Sequence, residues 1–260
     1  MIKYLVIGPG AMAYFLYLGS IAKLNLNNLE EISGSSAGGL VAFMYCICKG
    51  DIKTILDYSI DLNLKEILKP NLSNLIKTYG LVSNLKIQKV LINTCIKFTG
   101  KNDFTFKELY EWFPIKIHLP AYCVDTMETK YFSVNDTPDV SVLQILNATI
   151  AIPFLFQPIK IDNYRFVDGS FAEEIPGLPF INYKDPKEII ALKIIWESET
   201  KIKNIKSFLF CIIYSSMKMR KKYEIIPIHD IIANEEDVIN HNANNETKLK
   251  MYILGINQKI

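Results

Sequence analysis

The sequence has few histidines, no cysteine pair with C-x-x-C spacing and almost no net charge. It contains three histidines and five cysteines in 260 residues, and no two cysteines have the C-x-x-C spacing of a zinc site. Because the number of cysteines is odd and most stand inside apolar stretches, we expect reduced core residues in a reducing compartment. A formal net charge of +2 is too small to indicate a nucleic-acid partner. We therefore expect no structural metal, no disulfide framework and no nucleic acid.

Long apolar stretches are missing as well. None reaches the roughly 18 residues of a membrane-spanning helix. The stretch from Tyr4 to Leu18 follows a lysine and imitates a secretory signal peptide. Pro9 and two glycines interrupt it, so we interpret it as a buried strand, a glycine turn and a buried helix. Half of the residues are hydrophobic and 22% are charged, which suits one large α/β domain or two small domains.

Hydrophobic patterning predicts an α/β fold. Two strand–turn–helix units open the chain and favour parallel strands packed against buried helices. Their strands are expected at 4–7 and 29–33, and their helices at 11–24 and 39–48. The remaining helices are expected within 51–99, with breaks at Pro70 and Gly80, and at 105–112, 141–151, 202–219 and 235–250. The remaining strands are expected at 115–118, 121–124, 130–134, 164–167 and 189–195.

The first candidate site is the sequence Gly-Ser-Ser-Ala-Gly at residues 34–38, which fits the pattern G-x-S-x-G. It stands between a predicted strand and an apolar helix, as in a nucleophile elbow, where a sharp turn exposes the serine Oγ. The spacing of the glycines selects Ser36 over Ser35 as the nucleophile. The alternative is an ordinary glycine- and serine-rich turn between a strand and a helix.

A glycine turn at residues 8–10 leads into the first helix. Such a turn can direct consecutive backbone N–H groups toward one point, as an oxyanion hole requires. Residues 8–13 also fit the dinucleotide fingerprint G-x-G-x-x-[GA]. That alternative needs an acidic residue at the end of the second strand, whereas here the serine turn ends it and Glu30 and Glu31 stand at its start.

Asp168 and Gly169 follow the predicted strand at 164–167. A carboxylate at a strand end, followed by glycine, can approach a neighbouring loop closely. Taken alone, this dipeptide is more typical of an ordinary turn between strands.

The order of these three features resembles the patatin-like phospholipase family. A glycine turn comes first, the G-x-S-x-G elbow follows soon after it, and an Asp-Gly pair comes much later. Residues 148–158 are similar to the family's A-S-x-A-x-P…F-x-P segment, 103–109 to its T-F-x-E-L helix start, and 122–129 to the strand and hairpin that follow. The resemblance covers residues 1–196.

The resemblance implies a three-layer α/β/α sandwich with a mainly parallel central sheet. Residues 1–196 would form the patatin-like catalytic core, and 197–260 a C-terminal helical segment packed on the same domain. The matching positions imply a Ser–Asp dyad, with Ser36 as the nucleophile and Asp168 as the general base. The oxyanion hole would be formed by the backbone of Gly8, Gly10 and Ala11.

The same resemblance implies a lipid acyl hydrolase that forms an acyl-enzyme and needs no metal or cofactor. Its substrate would be a phospholipid or another acyl ester, and its location would be cytoplasmic or peripheral to a membrane. Phe154 and Phe156 are candidates for contact with an acyl chain, together with Leu155 and Trp112, and plain core packing is the alternative for each. A basic cluster at 218–222 would contact anionic lipid or form a solvated helix end.

The glycine loop departs from the family pattern G-G-G-x-[RK]-G. Residues 9–14 read Pro-Gly-Ala-Met-Ala-Tyr, so Ala13 replaces the basic residue and Tyr14 replaces the last glycine. Downstream, Glu174 stands where the family has asparagine. These changes keep open a catalytically weak or inactive protein that binds lipid or a partner.

The histidines keep a second class of hydrolase open. The order Ser36, Asp168 and then His229 or His241 would satisfy the Ser–Asp–His triad of an α/β-hydrolase. Only one strand–helix unit precedes the serine, and both late histidines stand in polar surroundings, which argues against this triad. His118 lies in a predicted strand, and we interpret it as structural.

Overall fold

The computed structural model describes residues 1–171, 173–182, 184–195, 208, 212, 223, 225–234, 238, 240 and 242–260. Its strands are β1 (Tyr4–Ile7), β2 (Glu31–Gly34), β3 (Gly80–Val82), β4 (Lys116–Cys123), β5 (Glu128–Phe132), β6 (Phe154–Phe156), β7 (Ile159–Ile161), β8 (Tyr164–Asp168), β9 (Ile189–Ile195) and β10 (Ile228–Ile232). Its helices are α1 (Tyr14–Ala22), α2 (Ala37–Ile47), α3 (Ile52–Ile60), α4 (Leu64–Ile67), α5 (Leu72–Thr78), α6 (Asn84–Thr99), α7 (Phe106–Trp112), α8 (Val142–Thr149) and α9 (Asn245–Asn257). Short 3₁₀ turns lie at Ala11–Ala13, Gly169–Phe171 and Pro186–Glu188.

The central sheet has the strand order β10–β9–β1–β2–β4–β8–β7, and β5 also pairs with β4. The neighbours from β10 to β4 are parallel, whereas β8 runs antiparallel to both β4 and β7. β3 and β6 form a separate parallel pair. Helices flank the sheet, so the predicted α/β sandwich with a mainly parallel central sheet is confirmed.

The core forms where the first two helices cover the sheet. All of β1 is buried, and α1 and α2 are apolar on almost all sides, which explains why both helices are buried rather than amphipathic. Helix α9 packs against α1 through two glycines. A Cβ on Gly19 would lie 2.0 Å from the Tyr252 carbonyl oxygen, and one on Gly255 would lie 2.2 Å from that of Leu16. Only glycine allows the two backbones to approach this closely.

Some predicted boundaries are wrong for local reasons. The helix expected at 11–24 begins as a 3₁₀ turn, and α1 itself starts at Tyr14. The strands expected at 115–118 and 121–124 form one strand, β4, which continues through Pro120. Pro120 stands where β4 changes from its parallel partner β2 to its antiparallel partners, and a missing N–H is tolerated there.

The C-terminal part also differs from the prediction. β10 adds a strand to the sheet from the segment 197–260, for which the sequence predicts helix. The helix expected at 235–250 is not continuous, because Asn244 has an extended backbone and caps the N-terminus of α9, which includes 245–250. Residues 235–237, 239 and 241 of that prediction lie outside the described residues. Most of the helix expected at 202–219, and the whole basic cluster at 218–222, lie outside the described residues. The short strands β3, β6 and β7 were not indicated by the pattern, since three residues are too few for a period to emerge.

Candidate active site

Ser36 stands in the turn between β2 and α2, where the sequence predicts a nucleophile elbow. Its backbone has φ 53° and ψ −122°, a positive-φ conformation that costs about 1–3 kcal/mol for a residue with a side chain. The Ser36 N–H donates to the Thr149 carbonyl oxygen at 3.1 Å, and the neighbouring Ser35 N–H donates to that of Ile7 at 3.2 Å. These two hydrogen bonds hold the strained turn against the ends of α8 and β1.

The glycines of the elbow are required by close backbone contacts. A Cβ on Gly34 would lie 2.3 Å from the carbonyl oxygen of Gly38, and a Cβ on Gly38 would lie 2.2 Å from that of Ile7. Both distances are too short for any side chain to occupy. The spacing G-x-S-x-G therefore lets α2 start directly against the carboxyl end of β1.

Asp168 ends β8, on the other side of β4 from the serine turn. It is 1% exposed, its N–H donates to the Ala151 carbonyl oxygen at 2.9 Å, and its Oδ1 accepts the Ser170 N–H at 2.8 Å. Gly169 packs against the Pro120 backbone, where a Cβ would lie 2.2 Å from the carbonyl oxygen. The Asp-Gly pair is therefore a strand end fixed against β4 and not an open hairpin turn.

The end of α8 brings the serine and the aspartate together. Thr149 accepts the Ser36 N–H, and two residues later Ala151 accepts the Asp168 N–H. Because two residues span at most about 7 Å of chain, both main chains are held against the same short segment. We call residues 149–151 the bridging segment. The sequence alone assigns it no role, although the family-like pattern that includes it was a usable signal.

The register of the sheet leads to the same placement. Ser33 of β2 pairs with His118 of β4. Ser36 lies three residues after Ser33, and Ala121 lies three residues after His118. Ala121 pairs with Asp168 of β8. Ser36 and Asp168 therefore leave the sheet at the same level, at the carboxyl end of its parallel strands, where α/β sheets carry their binding sites.

Three buried hydroxyls near this pair have no hydrogen-bond partner among the described residues. They belong to Ser35, which precedes Ser36, to Thr149 of the bridging segment and to Ser170, two residues after Asp168. Buried polar groups are nearly always hydrogen bonded, so each exception needs an explanation. Their clustering marks this end of the sheet as the candidate site.

The glycine loop lies directly beside the elbow. A Cβ on Gly38 would meet the carbonyl oxygens of both Ile7 and Gly8, so the loop starts against the first turn of α2. Ala11 has φ 46°, a positive value that glycine adopts more easily. Within the described part of the chain, no acceptor takes the N–H groups of Gly10 and Ala11.

Tyr17 braces this loop, a role that the sequence does not indicate. The buried Tyr17 hydroxyl donates to the Pro9 carbonyl oxygen at 3.0 Å and accepts the Ile194 N–H at 3.3 Å. Burial raises the pKa of Tyr17 well above its ordinary value, so the hydroxyl keeps the proton that it donates. The Gly8 N–H, a predicted oxyanion donor, is instead donated to the Leu192 carbonyl oxygen at 2.9 Å. The loop is thus tied to β9 at two points, and Gly8 is not a donor to the site.

Comparison with known proteins agrees with this arrangement. A sequence model of the patatin-like phospholipase family matches residues 5–181, which is more than half of the chain and includes the loop, the elbow and Asp168. The chain belongs to the patatin-like phospholipase family. This membership confirms the predicted resemblance and decides against the dinucleotide-binding interpretation of residues 8–13.

The proteins that the chain resembles are distant in sequence. The chain is 25% identical over 209 residues to the probable lipid hydrolase 463L of Invertebrate iridescent virus 6, covering 75% of this chain and 71% of the viral protein. VipD of Legionella pneumophila matches with a TM-score of 0.64 at 18% identity, over 99% of this chain and 66% of VipD. The type III effector ExoU of Pseudomonas aeruginosa gives 0.53 at 15% identity, over 99% of this chain and 52% of ExoU. The chain therefore spans about two thirds of VipD and half of ExoU, and the likeness to both is one of fold.

The described histidines lie away from Ser36. His118 Nε2 lies 2.8 Å from Glu31 Oε2, and Glu31 begins β2 whereas Ser36 follows its end. His229 lies on β10, three strands from β2, which corresponds to about 14 Å. His241 lies outside the described residues. The geometry therefore excludes a triad through His229, and His118 has a structural hydrogen bond with Glu31.

The two phenylalanines predicted to contact an acyl chain lie on β6, close to the bridging segment. Phe156 is buried in a small apolar cluster with Ala151, whereas Phe154 is 48% exposed. Trp112 lies at the opposite end of α2 from the elbow, where its Nε1 donates to the last carbonyl group of that helix at 3.3 Å. Trp112 is therefore removed from the set of candidate acyl contacts.

Metal ligands do not converge in the described part of the chain, where no group of three His, Cys, Asp or Glu side chains could hold an ion. No helix among the same residues is long and apolar enough to cross a membrane. The candidate site therefore rests on Ser36, Asp168 and the backbone N–H groups beside them.

Proposed function

We propose that this protein is a lipid acyl hydrolase that acts on phospholipid or another acyl ester through a Ser36–Asp168 dyad. Membership of the patatin-like phospholipase family and the similarity to a probable lipid hydrolase support the substrate class. The observation that carries the proposal is the bridging segment, whose Thr149 and Ala151 carbonyls hold the two residues at one end of the sheet.

In the first step, Ser36 Oγ attacks the carbonyl carbon of the ester while Asp168 takes the hydroxyl proton. The positive-φ elbow holds Ser36 at the N-terminus of α2, whose dipole favours the negative charge that develops. The carbonyl oxygen of the ester becomes an oxyanion that faces the N–H groups of Gly10 and Ala11. Loss of one such donor typically costs about 3 kcal/mol of transition-state stabilisation.

In the second step, the bond between the carbonyl carbon and the alcohol oxygen breaks, and Asp168 gives its proton to the leaving alcohol. The acyl group stays on Ser36 Oγ. Water then attacks this ester while Asp168 takes a proton from it, and the fatty acid leaves as that proton returns to Ser36. A carboxylate is a weaker base than the imidazole of a triad, so the reaction depends strongly on the oxyanion donors and on exclusion of bulk water.

The first test measures hydrolysis of p-nitrophenyl acyl esters by variants of the dyad. Ser36→Ala removes the nucleophile, and Asp168→Asn removes the base while keeping an acceptor for the Ser170 N–H. We expect each to lower kcat by about 10³-fold or more. Circular dichroism and thermal unfolding confirm that each variant is folded.

Two matched variants serve as controls. Ser35→Ala removes the neighbouring hydroxyl, and His229→Ala removes the histidine that the triad alternative would use. Both are expected to keep turnover close to that of the wild type. Activity of Ser36→Ala near the wild-type rate, or loss of activity in the folded His229→Ala variant, would contradict the dyad.

A lipid-binding protein without turnover is the second candidate function. It is favoured by the glycine loop, where Ala11 has a positive φ and Ala13 and Tyr14 replace a basic residue and a glycine of the family pattern. In that case the wild type hydrolyses no acyl ester, although it binds lipid vesicles. Measurable turnover that depends on Ser36 rejects this candidate.

A further inference from the structure

Helix α5 carries apolar side chains that no other described element covers. None of its residues is buried, and Leu72 and Ile76, which lie one turn apart on the same face, are 76% and 84% exposed. Tyr79 and Leu85, on the segment that follows, are exposed as well. Single exposed apolar side chains are ordinary, but four within fourteen residues indicate an interaction surface. We call Leu72, Ile76, Tyr79 and Leu85 the docking face.

The docking face is surrounded by positive charge. Residues 64–90 contain five lysines and one acidic residue, a net charge of +4, which leaves −2 for the rest of the chain. All five lysines are exposed, and they are Lys65, Lys69, Lys77, Lys86 and Lys89. Exposed apolar side chains among lysines are typical of segments that lie on an anionic lipid surface, because the two groups match its hydrocarbon and its phosphates.

A surface cleft of about 560 Å³ opens beside Leu72, at one side of the docking face. The polar side chains in its lining are those of Lys69, Asn71, Asn74, Ser83 and Lys86. Ammonium, amide and hydroxyl groups are the donors that phosphate oxygens accept from. The cleft therefore offers hydrogen-bond donors to a phosphate-bearing head group, and the apolar side chains of the docking face beside it can contact acyl chains.

The docking face is tied to the candidate active site by a short backbone path. β3 follows α5 directly and pairs with β6, and a Cβ on Gly80 of β3 would lie 2.3 Å from the backbone of Phe156. The Asn84 side-chain amide donates to the Gln157 carbonyl oxygen at 2.7 Å. β6 begins three residues after Ala151, the residue that holds the aspartate of the dyad. A lipid surface bound at α5 is thus connected to the dyad through β3, β6 and the bridging segment.

We propose that the docking face seats on an anionic lipid surface and so brings the lipid ester to the Ser36 site. This proposal rests on the proposed function, since the substrate of a lipid hydrolase lies in such a surface. Leu72 and Ile76 enter the boundary between head groups and acyl chains, and the lysines contact the phosphates. A protein partner with an acidic rim is the other occupant, and the experiment distinguishes the two.

Vesicle sedimentation tests the proposal without any dependence on turnover. The full chain carries Ser36→Ala, so that the lipid stays intact, and is mixed with vesicles of phosphatidylcholine alone or of phosphatidylcholine with phosphatidylserine. We expect binding to the anionic vesicles and much weaker binding to the neutral ones. Addition of Leu72→Ser and Ile76→Ser is expected to weaken binding about tenfold or more. Exchange of Lys69 and Lys77 for Gln is expected to remove the preference for anionic lipid.

Matched substitutions elsewhere separate a specific face from a general effect. Ile225→Ser with Ile253→Ser exchanges two exposed isoleucines outside the docking face, and Lys107→Gln with Lys160→Gln exchanges two exposed lysines outside it. Both control pairs are expected to bind vesicles like the parent. Equal loss in the controls, unchanged binding after Leu72→Ser with Ile76→Ser, or a parent that binds no anionic vesicle each overturns the proposal. Unchanged binding places the lipid contact elsewhere on the chain, and a parent that binds no anionic vesicle leaves the protein partner as the occupant.

A second measurement keeps this proposal distinct from the proposed function. With Ser36 restored, the Leu72→Ser and Ile76→Ser pair is expected to hydrolyse a soluble p-nitrophenyl ester at the wild-type rate but to lose hydrolysis of phospholipid in anionic vesicles. Absence of any turnover in the wild type refutes the hydrolase and leaves the sedimentation result valid. Equal vesicle hydrolysis by the pair and the wild type overturns the docking face and leaves the hydrolase valid.

Discussion

The two ends of strand β2 differ in how well their buried polar groups are hydrogen bonded. At the amino end, Glu31 receives hydrogen bonds from His118 and Lys184, each at 2.8 Å. At the carboxyl end, Ser36 has a positive φ, and the hydroxyls of Ser35 and Thr149 have no partner among the described residues. At the amino end the buried polar groups are hydrogen bonded, and they stabilise the sheet. At the carboxyl end the backbone is strained and buried hydroxyls lack partners among the described residues, as is typical of functional sites.

The largest effect is expected from Gly38→Ala, which disturbs the strained end directly. The new Cβ would lie 2.2 Å from the Ile7 carbonyl oxygen, so the elbow and the glycine loop must move apart. A shift of about 1 Å in such a site lowers turnover about 100-fold, and we expect at least that loss in ester hydrolysis together with a lower melting temperature.

Gly100→Ala is the matched control for that change. Gly100 has a positive φ and ends α6, but no atom lies within 4 Å of its added Cβ. We expect a loss of about 1 kcal/mol in the free energy of unfolding and unchanged turnover. If Gly38→Ala is as active as Gly100→Ala, the close backbone packing at the elbow does not determine the rate of ester hydrolysis.

A smaller effect, on stability alone, is expected from Glu31→Gln at the amino end of β2, where the buried polar groups are hydrogen bonded. Burial by itself would raise the pKa of Glu31, but hydrogen bonds from His118 and Lys184 outweigh it and lower that pKa from 4.5 to about 2. The resulting stabilisation is complete above pH 4.5 and is lost as the pH falls toward 2. We expect Glu31→Gln to lower the free energy of unfolding by about 2 kcal/mol at pH 7, with turnover retained.

Urea unfolding at pH 7 and at pH 2 measures this effect, and Thr149→Val supplies the contrast. Valine keeps the shape of Thr149 and removes a hydroxyl that makes no hydrogen bond among the described residues. We expect its stability at pH 7 to stay within about 1 kcal/mol of the wild type. A larger loss for Thr149→Val than for Glu31→Gln would reverse the comparison between the two ends.

The smallest of these effects is expected from Tyr17→Phe, which loosens the glycine loop while leaving the dyad intact. The change removes the donor to the Pro9 carbonyl oxygen and the acceptor of the Ile194 N–H. We expect kcat to fall about tenfold and KM to change little. The oxyanion donors of the loop remain but are held less firmly, which costs less than the loss of a donor. Tyr58→Phe, which removes a hydroxyl bonded to Thr94 Oγ1, is the control and should retain kcat. Equal kcat in the two variants would show that Tyr17 only fills space.

The sequence predicts the parts of the site that depend on local contacts. The G-x-S-x-G spacing is dictated by backbone approaches within a few residues, and the helix start at Thr105 is a capping box in which Glu108 completes the pair. The strands β1, β8 and β9 are correctly expected because their apolar runs are short and bounded by turn residues.

The rest depends on partners that are distant in sequence. The bridging segment reaches Ser36 across more than one hundred residues, and Tyr17 meets Ile194 across a separation of 177 residues. No local pattern distinguishes Tyr17 from the other apolar residues of α1, since its role is visible only once β9 lies beside it. The continuity of β4 through Pro120 is not predicted for a related reason, because proline is tolerated there only where the partners of the strand change.

Covalent labelling with a fluorophosphonate ester, read by intact-protein and peptide mass spectrometry, tests whether Ser36 is the nucleophile. The reagent reacts with a serine that is activated as a nucleophile. We expect one adduct per chain, on the peptide that contains Ser36, in the wild type and in Ser35→Ala, and no adduct in Ser36→Ala or Asp168→Asn. An adduct on another serine of the wild type, or labelling of Ser36→Ala at the wild-type rate, would contradict this expectation.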